Sequence, residues 1–130
     1  MAVSGSDFLS AAEVYKDLDT EIGYRMCLGR SYYAMYHCAK NMISCELPKY
    51  SKGGNHYSLI EYLADPHNGE TYDKKGMRII SYILRQGREL RNKADYDLSC
   101  DSITNLVAET QIIQTEKLID MCEKLNVKVA

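Results

Sequence analysis

Apolar residues recur every three or four positions through most of this chain, and nowhere do they alternate with a period of two for long enough to build a sheet. Phe8, Ala11, Ala12, Tyr15 and Leu18 make the first stripe, and Ser6 is the expected cap of a helix over 7–18. Ile22, Met26, Leu28, Tyr32, Met35, Ala39 and Ile43 carry the period through a second, long helix to about Cys45. Pro48 and the Gly53-Gly54 pair end it in a flexible loop, and HYSLIEYLAD predicts a short third helix running to Pro66. Beyond PHNGETYD, a fourth helix is marked by Met77, Ile80, Ile83, Leu84, Gly87, Leu90 and Ala94. Past YDLSC, Asp101 or Ser102 caps a fifth, with Ile103, Leu106, Val107, Ile113, Leu118, Met121 and Leu125 expected on its buried side. The pattern predicts an all-α fold, an antiparallel four-helix bundle with an additional short helix. It occupies one domain over 1–130, with its core at about 7–125.

A chain of 130 residues buries roughly two-thirds of its unfolded surface around one core. With 45% hydrophobic residues and only two prolines, it is neither disordered nor collagen-like. No stretch approaches the roughly 20 apolar residues of a bilayer span, and MAVSGSDF lacks the basic start and apolar run of a signal peptide, so a cytoplasmic location without membrane contact is expected. Five cysteines without a CxxC pair suggest neither a disulfide framework nor a zinc site. Cys27, Cys38 and Cys45 share a helical stripe with Ser31 and Ala34, a small-residue seam suited to close helix packing. Aromatic usage is lopsided, with eleven Tyr, one Phe and no Trp, and tyrosine suits a surface with an apolar body and a wet rim.

The net charge of −2 argues against broad nonspecific nucleic-acid binding, yet it hides a segregation. Residues 1–72 carry 6 Lys/Arg against 9 Asp/Glu, residues 94–130 carry 3 against 7, and residues 73–93 carry 7 against 2. Lys74, Lys75, Arg78, Arg85, Arg88, Arg91 and Lys93 thus fall within one predicted helix. Any attraction for phosphate is concentrated there, and the excess of Arg over Lys favours bidentate recognition of oxygen.

Two constellations stand out. On helix two, Arg30 and His37 are seven residues apart on one face, with Tyr33 and Lys40 close to the same side. Their bland reading is a hydrogen-bonded network between helices. His56 follows the Gly-Gly-Asn turn at the start of helix three, where free N–H groups and the helix dipole favour anions. The sharper cluster is RNKADYD at the end of the basic helix, where Arg91 and Asp95 face each other across one turn beside Asn92 and Tyr96.

FLSAAEVY, YRMCLGRSYYAMYHCAK, GNHYSLIEYL and ILRQGRELRNKADYD, in that order, resemble the HEPN family of small helical bacterial and archaeal proteins, over about residues 7–120. The likeness is to the stand-alone branch whose second helix reads R-x-YYAMFH and whose fourth ends in R-x-x-ADY. The resemblance implies a helical bundle that pairs into a homodimer, with the ends of the fourth helices facing a shared cleft. Many members are metal-independent endoribonucleases of toxin–antitoxin or defence modules; others bind nucleotides beside a minimal nucleotidyltransferase. In the nuclease branch an Arg, usually followed by a polar residue, precedes a His by four to six intervening residues. Arg91 and Asn92 match the first half, and Tyr96 stands where the His belongs. A phenol is a poor base at neutral pH, since its pKa near ~10 lies far above imidazole's ~6.5.

The resemblance therefore implies Arg91, Asn92, Asp95 and Tyr96 as the catalytic set of an RNA-cleaving dimer. Arg30, Tyr33, His37, His56, Arg85 and Arg88 are the expected RNA- or nucleotide-binding set, with His37 or His56 as substitute proton carriers. No metal or cofactor is expected, because no acidic or His cluster has ligand spacing; scission by the internal 2′-hydroxyl follows. The alternative is a non-catalytic nucleotide-binding or regulatory subunit docked on a nucleotidyltransferase antitoxin partner.

Overall fold

The structure is a computed structural model describing residues 2–43, 54–66 and 73–129, with side chains up to residue 125. The described residues form five helices: α1 (Gly5–Asp17), α2 (Glu21–Met42), α3 (Asn55–Ala64), α4 (Lys74–Tyr96) and α5 (Asn105–Val129). No strand occurs among them, so the all-α expectation holds. The expected end of helix two at Cys45 and most of the loop from Pro48 lie outside the described residues, as does most of PHNGETYD.

α1 begins earlier than the sequence suggested. Ser4, not Ser6, is its cap: the backbone N–H and hydroxyl of Ser4 both donate to Asp7 Oδ2, at 2.7 and 3.3 Å. At the α1–α2 corner Asp19 takes a positive φ of 55°, and the Thr20 hydroxyl oxygen accepts the Gly23 N–H at 3.1 Å. Gly23 is pressed so tightly onto α1 that an added Cβ would sit 2.5 Å from the Tyr15 carbonyl oxygen. Because Gly23 takes the inward position, Leu18 and Ile22 face outward, contrary to their expected burial.

α2 is the hub: α1, α4 and α5 all pack against it, and α3 rests on α4. Contacts between particular residues give the directions. Gly5 approaches Cys38 while Gly23 abuts Tyr15, so α1 and α2 are antiparallel. Arg25 reaches the end of α4 while Gly87 lies against Met35, so α2 and α4 are antiparallel too. The core joins Tyr32, Met35 and Met42 of α2 to Leu59 and Leu63 of α3, Met77, Ile80 and Leu84 of α4, and Leu118 of α5. Each fully buried Leu, Ile or Met of this set contributes about 1.5–3 kcal/mol. The apolar stripe read for α4 is the one it buries, with Leu90 only half-buried.

α5 departs most from expectation. Its cap is Thr104, whose hydroxyl and carbonyl receive the N–H groups of Val107 and Ala108, not Asp101 or Ser102. Leu106 and Ile113, expected inside, are 72% and 57% exposed. The buried face is Ala108, Gln111, Thr115, Leu118, Cys122 and Leu125. Small and polar residues hold the alternating three–four spacing, since α5 packs closely on the small-residue seam of α2, where Cys27 Sγ lies 4.0 Å from the Ala108 carbonyl. Cys27, Ser31 and Ala34 of that seam are buried, and Cys45 is outside the described residues. The thiol of Cys122, pushed up to about 12 mainly by burial, is a packing group.

Arg25 secures the end of α4. It is only 5% exposed, and its NH1 donates to the carbonyls of Ala94 and Asp97, both at 3.0 Å, while NH2 donates to that of Cys100 at 2.6 Å. A helix C-terminus leaves carbonyls without intrahelical partners, and a guanidinium satisfies several at once while its charge opposes the helix dipole.

Candidate functional site

Arg30, Tyr33 and His37 sit three and four residues apart on α2, which puts them on one face beyond the buried stripe. The antiparallel fit of α4 brings Arg91 to that face, where its NH2 donates to the Tyr33 hydroxyl at 3.1 Å. Arg30 holds its guanidinium carbon 5.2 Å from the Tyr33 ring centroid, while that of Arg91 lies 5.4 Å away. One tyrosine ring thus carries two arginines. The Nε of Arg30 and of Arg91 are both shielded from solvent, and neither makes a hydrogen bond. Arg91 Nε is 2.9 Å from Asp95 Oδ2, an ion-pair contact whose N–H is not aligned on the carboxylate.

α3 contributes His56. Its ring lies 4.2 Å from the Tyr36 ring and 5.8 Å from that of Tyr33, and Nδ1 shares a 2.6 Å hydrogen bond with the Tyr32 hydroxyl. Burial lowers the His56 pKa below the usual imidazole value, and the charges of Arg88 and Arg91 push it the same way. His56 is therefore neutral at neutral pH. Burial drives the Tyr32 phenol well above its ordinary pKa, so Tyr32 keeps its proton. With Nδ1–H donating to the Tyr32 oxygen, Nε2 carries a free lone pair; with the Tyr32 O–H donating to Nδ1, Nε2 carries the proton. His37 completes the aromatic wall, 5.3 Å from Tyr36 and 5.1 Å from Phe8 of α1.

The fold thus brings together Arg30, Tyr33, His37, His56 and Arg91, with Arg88 one turn before Arg91. Asn92 Oδ1 accepts from Arg91 NH1 at 3.3 Å. Tyr96 holds its ring 5.6 Å from the Arg91 guanidinium yet is 73% exposed. Arg85 is not gathered in: its NH2 is 3.0 Å from Glu61 Oε1 on α3, an exposed pair. Phe8, Tyr32 and Tyr36 belong to the site although their spacing reads as ordinary core. Tyrosine at 32 and 36, where leucine would fill the volume without a hydroxyl, was the available signal.

Among the described residues no group of three or more His, Cys, Asp or Glu side chains is placed to hold a metal ion, and no helix is long and apolar enough to cross a membrane. Comparison of the chain with family models, with curated proteins and with solved structures gave no match.

Proposed function

We propose that this protein is an RNA- or nucleotide-handling member of the HEPN family, working as a toxin-like, metal-independent endoribonuclease in a toxin–antitoxin or defence module. One observation carries the reading: two arginines meet on a single tyrosine ring beside two histidines, and the shielded Nε of Arg30 has no acceptor. A shielded guanidinium donor without an acceptor invites an oxyanion, and phosphate matches the fork of the two arginines. In this reading α1, α2, α4 and α5 are the antiparallel four-helix bundle of the family and α3 its extra short helix. A homodimer places two copies of Arg91 on a shared cleft.

The chemistry follows from the residues. RNA lying against Tyr33 presents a phosphodiester to Arg91, and the ribose 2′-oxygen attacks the adjacent phosphorus. The proton of the 2′-hydroxyl passes to Nε2 of neutral His56. The new 2′-O–P bond forms as the P–O5′ bond breaks, and the departing 5′-oxygen takes a proton from the Tyr96 hydroxyl. Products are a 2′,3′-cyclic phosphate and a 5′-hydroxyl. Arg91 stabilises the added negative charge on the pentacoordinate phosphorus.

The exposure of Tyr96 beside Asp97 favours a second reading, a non-cutting nucleotide-binding or regulatory subunit whose Tyr96 contacts a nucleotidyltransferase partner. Incubation with a mixed RNA pool in chelator separates the two. Cleavage with cyclic-phosphate ends that disappears in Arg91→Ala supports the ribonuclease. Silence of the wild type, with activity appearing in Tyr96→His, moves the assignment to the binding subunit.

A further inference from the structure

Phe8 is the chain's only phenylalanine, and it stands on α1, outside the arginine–histidine cluster proper. It nevertheless faces that cluster: its ring is 5.1 Å from the His37 ring, 6.3 Å from Tyr33 and 5.7 Å from the Arg30 guanidinium carbon. Two depressions border it. The smaller, about 170 Å³, is lined by Asp7, Ala11 and Arg30 as well as Val3 and Phe8. The larger, about 380 Å³, is lined by Val3, Ser4, Gly5, Phe8, His37 and Asn41.

The two differ in charge. Asp7 lies in the smaller one, so a phosphate there meets a carboxylate. The larger has no carboxylate, Lys or Arg in its wall. It offers two flat rings and, at Asn41, an exposed amide that both donates and accepts, while the Ser4 hydroxyl is engaged by Asp7. Its composition suits a neutral, planar, hydrogen-bonding group, and its size falls within the range of small-molecule sites. The cationic ground lies next door, around Tyr33 between Arg30 and Arg91.

We propose that the depression lined by Phe8, His37 and Asn41 is a base-stacking subsite for one nucleotide of a single-stranded RNA, with Asn41 contacting the base edge. This rests on the RNA reading given above and extends it to α1. The adjoining phosphate lies against Arg30 and Arg91, and the base turns away from them to stack on the Phe8 ring. Aromatic stacking tolerates every base, so preference among bases comes from Asn41.

The test uses a short 2′-O-methyl RNA, which cannot be cut by internal attack, carrying one 2-aminopurine and a terminal fluorescein. Anisotropy reads binding, and quenching of 2-aminopurine reads stacking. The wild type is expected to bind and quench. Phe8→Leu preserves apolar volume while removing the flat ring, and is expected to weaken binding about tenfold and abolish quenching; Phe8→Tyr restores both. Asn41→Ala, an exposed change that does not threaten folding, alters the ranking of oligonucleotides that differ at the stacked base. Binding without quenching in the wild type, or quenching unchanged in Phe8→Leu, overturns the subsite and leaves the RNA reading standing. An unchanged base ranking in Asn41→Ala overturns the role given to Asn41. Absence of any binding at low salt overturns both the subsite and the RNA reading.

Discussion

Two neighbouring stretches of the α2–α4 contact use arginine in opposite ways. Where α4 ends, Arg25 is almost fully buried, and its terminal nitrogens are spent on carbonyls at and just beyond the end of α4. One to two turns further along α2, Arg30 and its α4 neighbour Arg91 are only partly covered; the Nε of Arg30 meets no acceptor, and that of Arg91 has only the poorly aligned Asp95 carboxylate. A guanidinium satisfied by backbone is a structural bolt. One held against a ring with a donor to spare fits the receptor role proposed above, with the acceptor supplied from outside the chain.

The following variants sharpen or break that contrast. The largest effect expected is on cleavage by Arg91→Ala, about a thousandfold loss in chelator, with the unfolding midpoint nearly unchanged because the Arg91–Asp95 pair is partly exposed. Arg25→Met is expected to do the reverse: it leaves several carbonyls short of a donor and lowers unfolding free energy by about 3 kcal/mol in urea titration. If Arg30→Met destabilises as much as Arg25→Met, the distinction between bolt and receptor collapses. Gly23→Ala, which drives a Cβ into the Tyr15 carbonyl, is expected to cost about 2 kcal/mol, whereas Gly54→Ala, with open space around it, has far less effect.

His56 gives the contrast a pH signature. Its folded pKa lies below the unfolded value, so the unfolded chain binds the proton more readily. Stability is full above the ordinary imidazole pKa and declines as pH falls through the lowered folded pKa. His56→Asn removes that slope, which urea titrations between pH 7 and 5 would detect. In cleavage, the acid limb of the rate profile is likewise expected below the ordinary imidazole range. The smallest effect is on phosphate affinity in Asp95→Asn, which frees Arg91 from its counter-ion and tightens oligonucleotide binding about twofold. Looser binding in that variant would mean that Asp95 positions Arg91 for its ligand.

Helix placement was legible because packing rewards a three–four spacing of apolar residues, and α4 met it almost residue by residue. α5 hid its buried face because the close approach to α2 selects Ala108, Gln111 and Thr115 over larger apolar residues, leaving Leu106 and Ile113 outside. Arg25 was illegible for a related reason: a lone arginine in a helix reads as solvated until the end of another helix arrives to be capped. The pairing of Arg30, Tyr33 and His37 was readable from spacing alone. Their meeting with Arg91, His56 and Phe8 depends on three other helices, and Arg85, a near neighbour in sequence, turned to Glu61 instead.

The bond between Tyr33 and Arg91 spans 58 positions. The site is thus absent from either half of the molecule: α1 to α3 hold the rings and both histidines, and α4 brings Arg91. Closing such a long loop precedes any reward from the contact, so the cleft forms late relative to the α1–α2 hairpin. During synthesis the emerging chain has no assembled arginine–tyrosine–histidine cluster until α4 has left the ribosome and folded back along α2. Refolding followed by oligonucleotide binding should therefore lag the rise of helical signal, and the lag would time the docking of α4.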